Sequence, residues 1–207
     1  ILLHFSQKDQ AHKGRYKSGP NTVVMTNKQK EQVVLFDPTA PYLVKPEMET
    51  ILAWTHEQLE TGGVHPLLVI ANFIFEFLAI HPFKDGNGRM SRVLTNLLLL
   101  KNGYSYVPYV SLDEIIEETK TDYYLALRAT QKNHKTNRED ITPWLGYMLG
   151  TLLKQTERAR KLMEQDQPEK LLSEKQLEIF NLFKEKKALS VAYAISLLNC
   201  RVPMATI

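Results

Sequence analysis

Apolar residues recur at helical spacing along most of the chain, and one stretch is apolar almost throughout. From Pro66 to Ile80 run Leu67, Leu68, Val69, Ile70, Phe73, Ile74, Phe75, Phe77 and Leu78. A helix apolar on all sides is a buried helix, so this segment is predicted as the central one. Its polar exceptions are Asn72 and Glu76, four apart. Buried polar groups need partners, so Glu76 is read as structurally paired rather than as a reacting acid. After a short polar stretch, Met90, Val93, Leu94 and Leu97 resume the helical period to about Lys101. Upstream, Pro46 suits the first turn of a helix with Met48, Ile51, Leu52 and Leu59 on its apolar face, ended by Gly62-Gly63. Downstream, Ser111-Leu112-Asp113-Glu114 forms a capping box that opens a helix to about Gln131. Lys132 to Asp140 reads as a polar loop with an exposed His134. Thr142-Pro143 then starts a helix carrying Trp144, Leu145, Met148, Leu149, Leu152 and Leu153. Its charged end, Lys154 to Gln165, is expected to project from the body.

Two short segments break this helical pattern. Thr22 to Thr26 and Gln32 to Phe36 are β-branched or apolar runs separated by Asn27-Lys28-Gln29-Lys30-Glu31, which predicts a β-hairpin. A lone hairpin is marginal, so it must lean on the helices. Near the other end, Asp166-Gln167-Pro168 is a linker and Ser173-Glu174-Lys175-Gln176 a second capping box. Its helix would bury Leu177, Phe180 and Phe183. A short helix over Ala188 to Leu198, a turn at Asn199-Cys200-Arg201 and a helix start near Pro203 follow. That order resembles a winged helix-turn-helix domain cut off inside its recognition helix; a helical tail packed on the body fits equally. The expected fold class is mainly α. Residues 1–45 hold the lead-in and hairpin, 46–165 the helical core, and 169–207 the truncated winged-helix-like segment.

Composition adds bounds. With 207 residues, 43% hydrophobic and 24% charged, the chain reads as a globular domain plus a small appendage. A net charge of +3 is too mild to argue for nucleic acid by itself. The single cysteine, Cys200, excludes an internal disulfide framework and fits a reducing, cytoplasmic setting. No apolar run reaches membrane-spanning length and no signal peptide is visible. The first residue is Ile and Pro203 to Ile207 read as a helix start cut short, so a fragment of a longer protein is expected.

The chemistry concentrates between the two most apolar helices, in His81-Pro82-Phe83-Lys84-Asp85-Gly86-Asn87-Gly88-Arg89-Met90-Ser91-Arg92. Gly86 and Gly88 can take positive φ and let a ligand approach the backbone. A turn that opens into a helix aims N–H groups and a positive dipole end at one point, which suits phosphate oxygens. Arg89 and Arg92 are three apart and share a helix face, and guanidinium groups grip phosphates bidentately. Asp85 is the hard oxygen donor that Mg²⁺ prefers when it bridges phosphates. His81 titrates near neutrality, as a general base should. Phe83 is expected to point inward and anchor the loop. The sum is a polyphosphate site with Mg²⁺ and a base for an incoming hydroxyl. A Gly-rich turn with a capping Asp and two solvated arginines would explain a lone Gly-x-Gly, but not the whole combination.

The same residues carry a resemblance. His81-x-Phe83-x-Asp85-Gly86-Asn87-Gly88-Arg89-x-x-Arg92 matches every specified position of the signature of Fic-domain proteins, most of which transfer AMP from ATP to a hydroxyl of a target protein. The resemblance implies that His81 deprotonates the target Ser, Thr or Tyr hydroxyl and that Asp85 holds Mg²⁺. Gly86, Asn87 and Gly88 would cradle the ATP phosphates, and Arg89 and Arg92 would hold the β- and γ-phosphates or support the loop. Glycine at 88, where the related Doc kinases carry Lys, argues for AMP transfer. Gly14-Arg15-Tyr16-Lys17 resembles the family's Gly-x-aromatic-Arg/Lys stretch ahead of a flap. Thr22, Val23, Val24 and Met25 would then be the flap strand along which a target protein docks. The likeness runs roughly from Gly14 to Leu153. The family's inhibitory Ser/Thr-x-x-x-Glu-Gly/Asn helix has no match here, so the inhibitor would come from another segment or an antitoxin chain. The resemblance also leaves open a homodimer, and DNA binding through the C-terminal segment; no membrane is implied. Two other readings remain: a nucleotide-sensing regulator, and a Fic enzyme that uses a different nucleotide donor.

Overall fold

The structure is a computed structural model and describes residues 14–26 and 32–165, with positions 174, 177, 178 and 181 beyond them. The chain divides into two compact units, residues 1–159 and 160–207. In the second, Arg160 and Glu164 pair at 3.5 Å on the last turns of a long helix, and the four further positions are helical. The expected winged-helix arrangement over 169–207 lies outside the described residues.

The first unit opens with strands β1 (Val23–Thr26) and β2 (Gln32–Phe36), paired antiparallel with Val24 opposite Val34 and a bulge between Val23 and Val24. Helices α1 (Val44–Thr61), α2 (Pro66–Ile80), α3 (Asn87–Lys101), α4 (Leu112–Glu118), α5 (Lys120–Gln131) and α6 (Thr142–Gln165) follow. Short 3-10 turns precede α1 and α4. Local chemistry explains the ends. Gly62 takes the left-handed conformation at φ 68° and closes α1 through its N–H to the Gln58 carbonyl. Pro66 opens α2 with the His65 ring accepting from the Leu67 N–H. Ser111 Oγ accepts from the Glu114 N–H at 3.2 Å, as the capping box predicts.

Helix α2 is the centre, with Ile70, Phe73, Ile74, Phe75 and Leu78 in the main core. Trp144 of α6 is wholly buried against them, and its indole N–H donates to the Ala71 carbonyl at 2.8 Å. A second cluster, Val44, Met48, Phe77 and Ile80, lies beneath the functional loop, with Phe83, Met90 and Leu94 packed on it.

Three expectations need correction. The helix expected from the capping box to Gln131 is two helices, broken at Thr119, whose φ is −110°. Its hydroxyl bonds the Ile115 carbonyl at 2.8 Å and shares a hydrogen bond with the Tyr147 hydroxyl at 2.9 Å, so a side chain contributes the break. The charged part of α6 does not leave the body at Lys154. Gln155 is fully buried, donating to the Val110 carbonyl at 2.9 Å, and Ala159 is buried too. His134 is not an exposed loop residue. Its Nε2 lies 3.1 Å from both Glu76 carboxylate oxygens and its ring meets Phe75 edge-on, which gives Glu76 the structural partner its burial requires.

Candidate active site

Helix α2 ends by delivering His81. The residue caps the helix in the left-handed conformation, φ 50° and ψ 61°, uncommon for a non-glycine residue. Its N–H bonds the Phe77 carbonyl at 3.0 Å and its ring Nδ1 the Leu78 carbonyl at 3.2 Å. A carbonyl only accepts, so Nδ1 carries the proton and Nε2 is the nitrogen with a lone pair to offer. Burial lowers the imidazole pKa below its usual 6.5. The Leu78 carbonyl opposes that shift, Lys17 adds to it, and Asp85 opposes it. His81 is therefore a neutral ring at pH 7, ready to take a proton.

The loop after His81 is closed by one side chain. Asn87 is 1% exposed; its Oδ1 accepts from the Phe83 N–H at 2.9 Å, and its Nδ2 donates to the Phe83 carbonyl at 2.7 Å. Asn87 thus reads as the loop's internal clasp more than as a phosphate ligand. Phe83 does anchor: its ring is 6.3 Å from that of Phe77 and 5.9 Å from that of Tyr16. Gly86 takes φ 83° just before α3, as only glycine does at ease. Gly88 does not share that geometry. It sits in the first turn of α3, and its carbonyl accepts from Ser91 Oγ and from an Arg92 guanidinium nitrogen at 2.9 Å. A Cβ on Gly88 would meet that nitrogen at 3.5 Å, an ordinary contact.

The charged groups are less aligned than their spacing suggests. Asp85 is exposed; one oxygen accepts from the Gly86 N–H at 2.6 Å and the other pairs with Arg89 at 3.1 Å. Arg92, besides its bond to the Gly88 carbonyl, pairs with Asp113 at the start of α4. No acidic side chain occupies the first turn of α3, so the positive helix end is not neutralised from within the helix.

Two functional neighbours escaped the sequence reading. Asp113 appeared there only as part of a capping box, and nothing local marks it as the partner of an arginine 21 positions earlier. Asn21 received no role, yet its Nδ2 donates to the Phe83 carbonyl at 3.1 Å. It fixes the residues just before β1 to the loop. Of the expected docking residues, Thr22 is exposed and Val23 half-buried, while the side chains of Val24 and Met25 lie outside the described positions.

A His-ended buried helix, a glycine turn and a helix N-terminus flanked by two arginines are set here as one unit. The family model described as Fic/DOC family matches residues 2–99. Over that stretch the chain is similar to this family. It is 31% identical over 113 residues to the protein adenylyltransferase fic-1 of Caenorhabditis elegans, spanning 55% of this chain and 20% of that one. It is 30% identical over 115 residues to a probable protein adenylyltransferase of Aquifex aeolicus, spanning 54% of this chain and 35% of that one. Among solved structures, a Fic domain containing signaling protein from Bacteroides thetaiotaomicron superposes with a TM-score of 0.57 at 28% identity, covering 70% of this chain and 53% of that one. The chain thus spans a fifth to about a third of the length of these curated relatives.

Among the described residues no group of three or more His, Cys, Asp or Glu side chains could hold a metal. Asp85 stands as a single exposed carboxylate beside the α3 N-terminus. Mg²⁺ commonly takes one or two carboxylates and completes its shell with phosphate oxygens and water, so the Fic loop fits that ion with a nucleotide and not by itself. Among the described residues no helix is long and apolar enough to cross a membrane.

Proposed function

We propose that this chain is the catalytic part of a protein adenylyltransferase, moving AMP from ATP to a Ser, Thr or Tyr hydroxyl of a target protein. The observation that carries the reading is the setting of His81: its Nδ1 faces the Leu78 carbonyl, which leaves Nε2 to accept, and it stands one glycine turn ahead of the α3 N-terminus, a helix end that suits phosphate. Nε2 takes the proton of the incoming hydroxyl as that oxygen attacks the α-phosphate. The bond to the β-phosphate bridging oxygen breaks and pyrophosphate leaves. The N–H groups at the start of α3, with Arg89 and Arg92, stabilise the negative charge on the phosphates. Asp85 would hold Mg²⁺, which when bound neutralises charge on the leaving phosphates. Asn87 and Phe83 act by keeping the loop in shape. The strand pair, fixed near the loop through Asn21, would register the target by strand addition.

The test is intact mass after incubation with ATP and Mg²⁺, alone and with a cell lysate, beside His81→Ala. The expected result is a single AMP adduct, on this chain or a lysate protein, with the wild type only. Transfer by His81→Ala at the wild-type rate would overturn the mechanism.

A further inference from the structure

Lys17 is a buried lysine, 5% exposed, in a stretch that the transfer chemistry does not use. Its Nζ donates to the Ile80 carbonyl at 3.1 Å and to Asn21 Oδ1 at 2.7 Å. Its own backbone N–H donates to the Pro82 carbonyl at 2.8 Å. Ile80 and Pro82 are the two neighbours of His81. One residue, 64 positions away in sequence, therefore grips the carbonyls of the residues on either side of the histidine. This is where the chain holds the left-handed φ of 50°, a conformation that persists only when its surroundings impose it. A cation at the last carbonyls of α2 also meets the negative end of the helix dipole.

We propose that Lys17 is the positioning residue of His81: it clamps the left-handed turn that aims the imidazole and sets a positive charge beside the ring. The assignment rests on His81 being the base of the proposed transfer. The groups that act on the imidazole can be named from each neighbouring segment. Lys17 lowers its pKa, Asp85 of the loop raises it, and the Leu78 carbonyl of α2 raises it. Glu47 of α1 acts on Lys17, opposing the burial that brings the ammonium down to about 8. Lys17 is thus still charged at the lower pH where His81 titrates, so its influence on the ring is present when it matters.

The experiment is an NMR titration of the His81 imidazole, assigned by its loss in His81→Ala, in wild type, Lys17→Met and Lys17→Arg. AMP transfer is measured in parallel. Lys17→Met is expected to raise the His81 midpoint and lower kcat about tenfold or more with little change in KM; Lys17→Arg should bring both back toward wild type. Lys17→Gln, which keeps a donor for the Ile80 carbonyl without the charge, takes the place of Lys17→Met if that variant does not fold. A folded uncharged variant with the wild-type midpoint and kcat overturns the assignment. The titration needs no nucleotide. A wild type that transfers no AMP while its His81 still responds to Lys17 would therefore refute the transfer reading and leave the clamp standing.

Discussion

At the scale of the residue, His81 shows how backbone and environment make a base of an ordinary histidine. The Leu78 carbonyl fixes the proton on Nδ1, and burial keeps the ring neutral by lowering its pKa below 6.5. The sign follows directly. The unprotonated ring is the active form, so kcat/KM for AMP transfer should climb as pH rises through a midpoint below 6.5. A pH–rate profile whose acid limb is centred above 6.5 would contradict the role. The spacing of His81 ahead of a glycine turn was legible because both neighbours are short-range features. Its left-handed backbone was not, since that conformation is imposed by Lys17 from far along the chain. Likewise Arg89 and Arg92 read as a pair on one helix face, but their carboxylate partners, four and 21 residues away, were not both legible.

At the scale of the element, the turn between α2 and α3 depends on one buried amide. Asn87→Ala would leave the Phe83 N–H without its partner and the Phe83 carbonyl with Asn21 alone, at a cost of about 1–3 kcal/mol if the N–H stays buried. Asn87→Asp keeps the acceptor and loses the donor, so it should fall between wild type and Asn87→Ala. Urea unfolding of the three proteins checks the order; an Asn87→Ala protein as stable as wild type would show that water replaces the clasp. Elements governed by local pattern were readable in advance. The apolar run and Pro66 marked α2, Gly62 the end of α1, and Ser111 the start of α4. The failures share a different cause. The break at Thr119 involves Tyr147, and the burial of Gln155 depends on the Val110 carbonyl; both partners are brought near only by the tertiary fold.

At the scale of the first unit, α2 is bound to α6 through Trp144, whose ring also packs on Phe75, Tyr123 and Tyr147. Trp144→Ala should cost about 3–5 kcal/mol, read as a lower urea midpoint, because it removes a fully buried ring and its hydrogen bond to the Ala71 carbonyl. Packing of this density also sets how stability responds to pH. His81 and Lys17 are bases whose pKa values burial lowers. For each, the unfolded chain holds more protons between the folded and unfolded pKa values, so stability rises with pH across that interval. For His81 the interval lies below 6.5, and stability falls as acid is added through it. For Lys17 it runs from about 8 to 10.5. Tyr123 has the opposite sign: burial raises its pKa, so the unfolded chain loses its proton first, and stability declines above about pH 10. The Lys17 contribution can be isolated by difference, since Lys17→Met retains Tyr123 and lacks only the titrating ammonium. Urea unfolding of both proteins at pH 7, 8.5 and 10 should show wild type gaining on the variant at each step, as the penalty for burying a charged lysine disappears. A difference independent of pH would mean that the ammonium is hydrated in the folded chain, and that the clamp on His81 is made by hydrogen bonds alone.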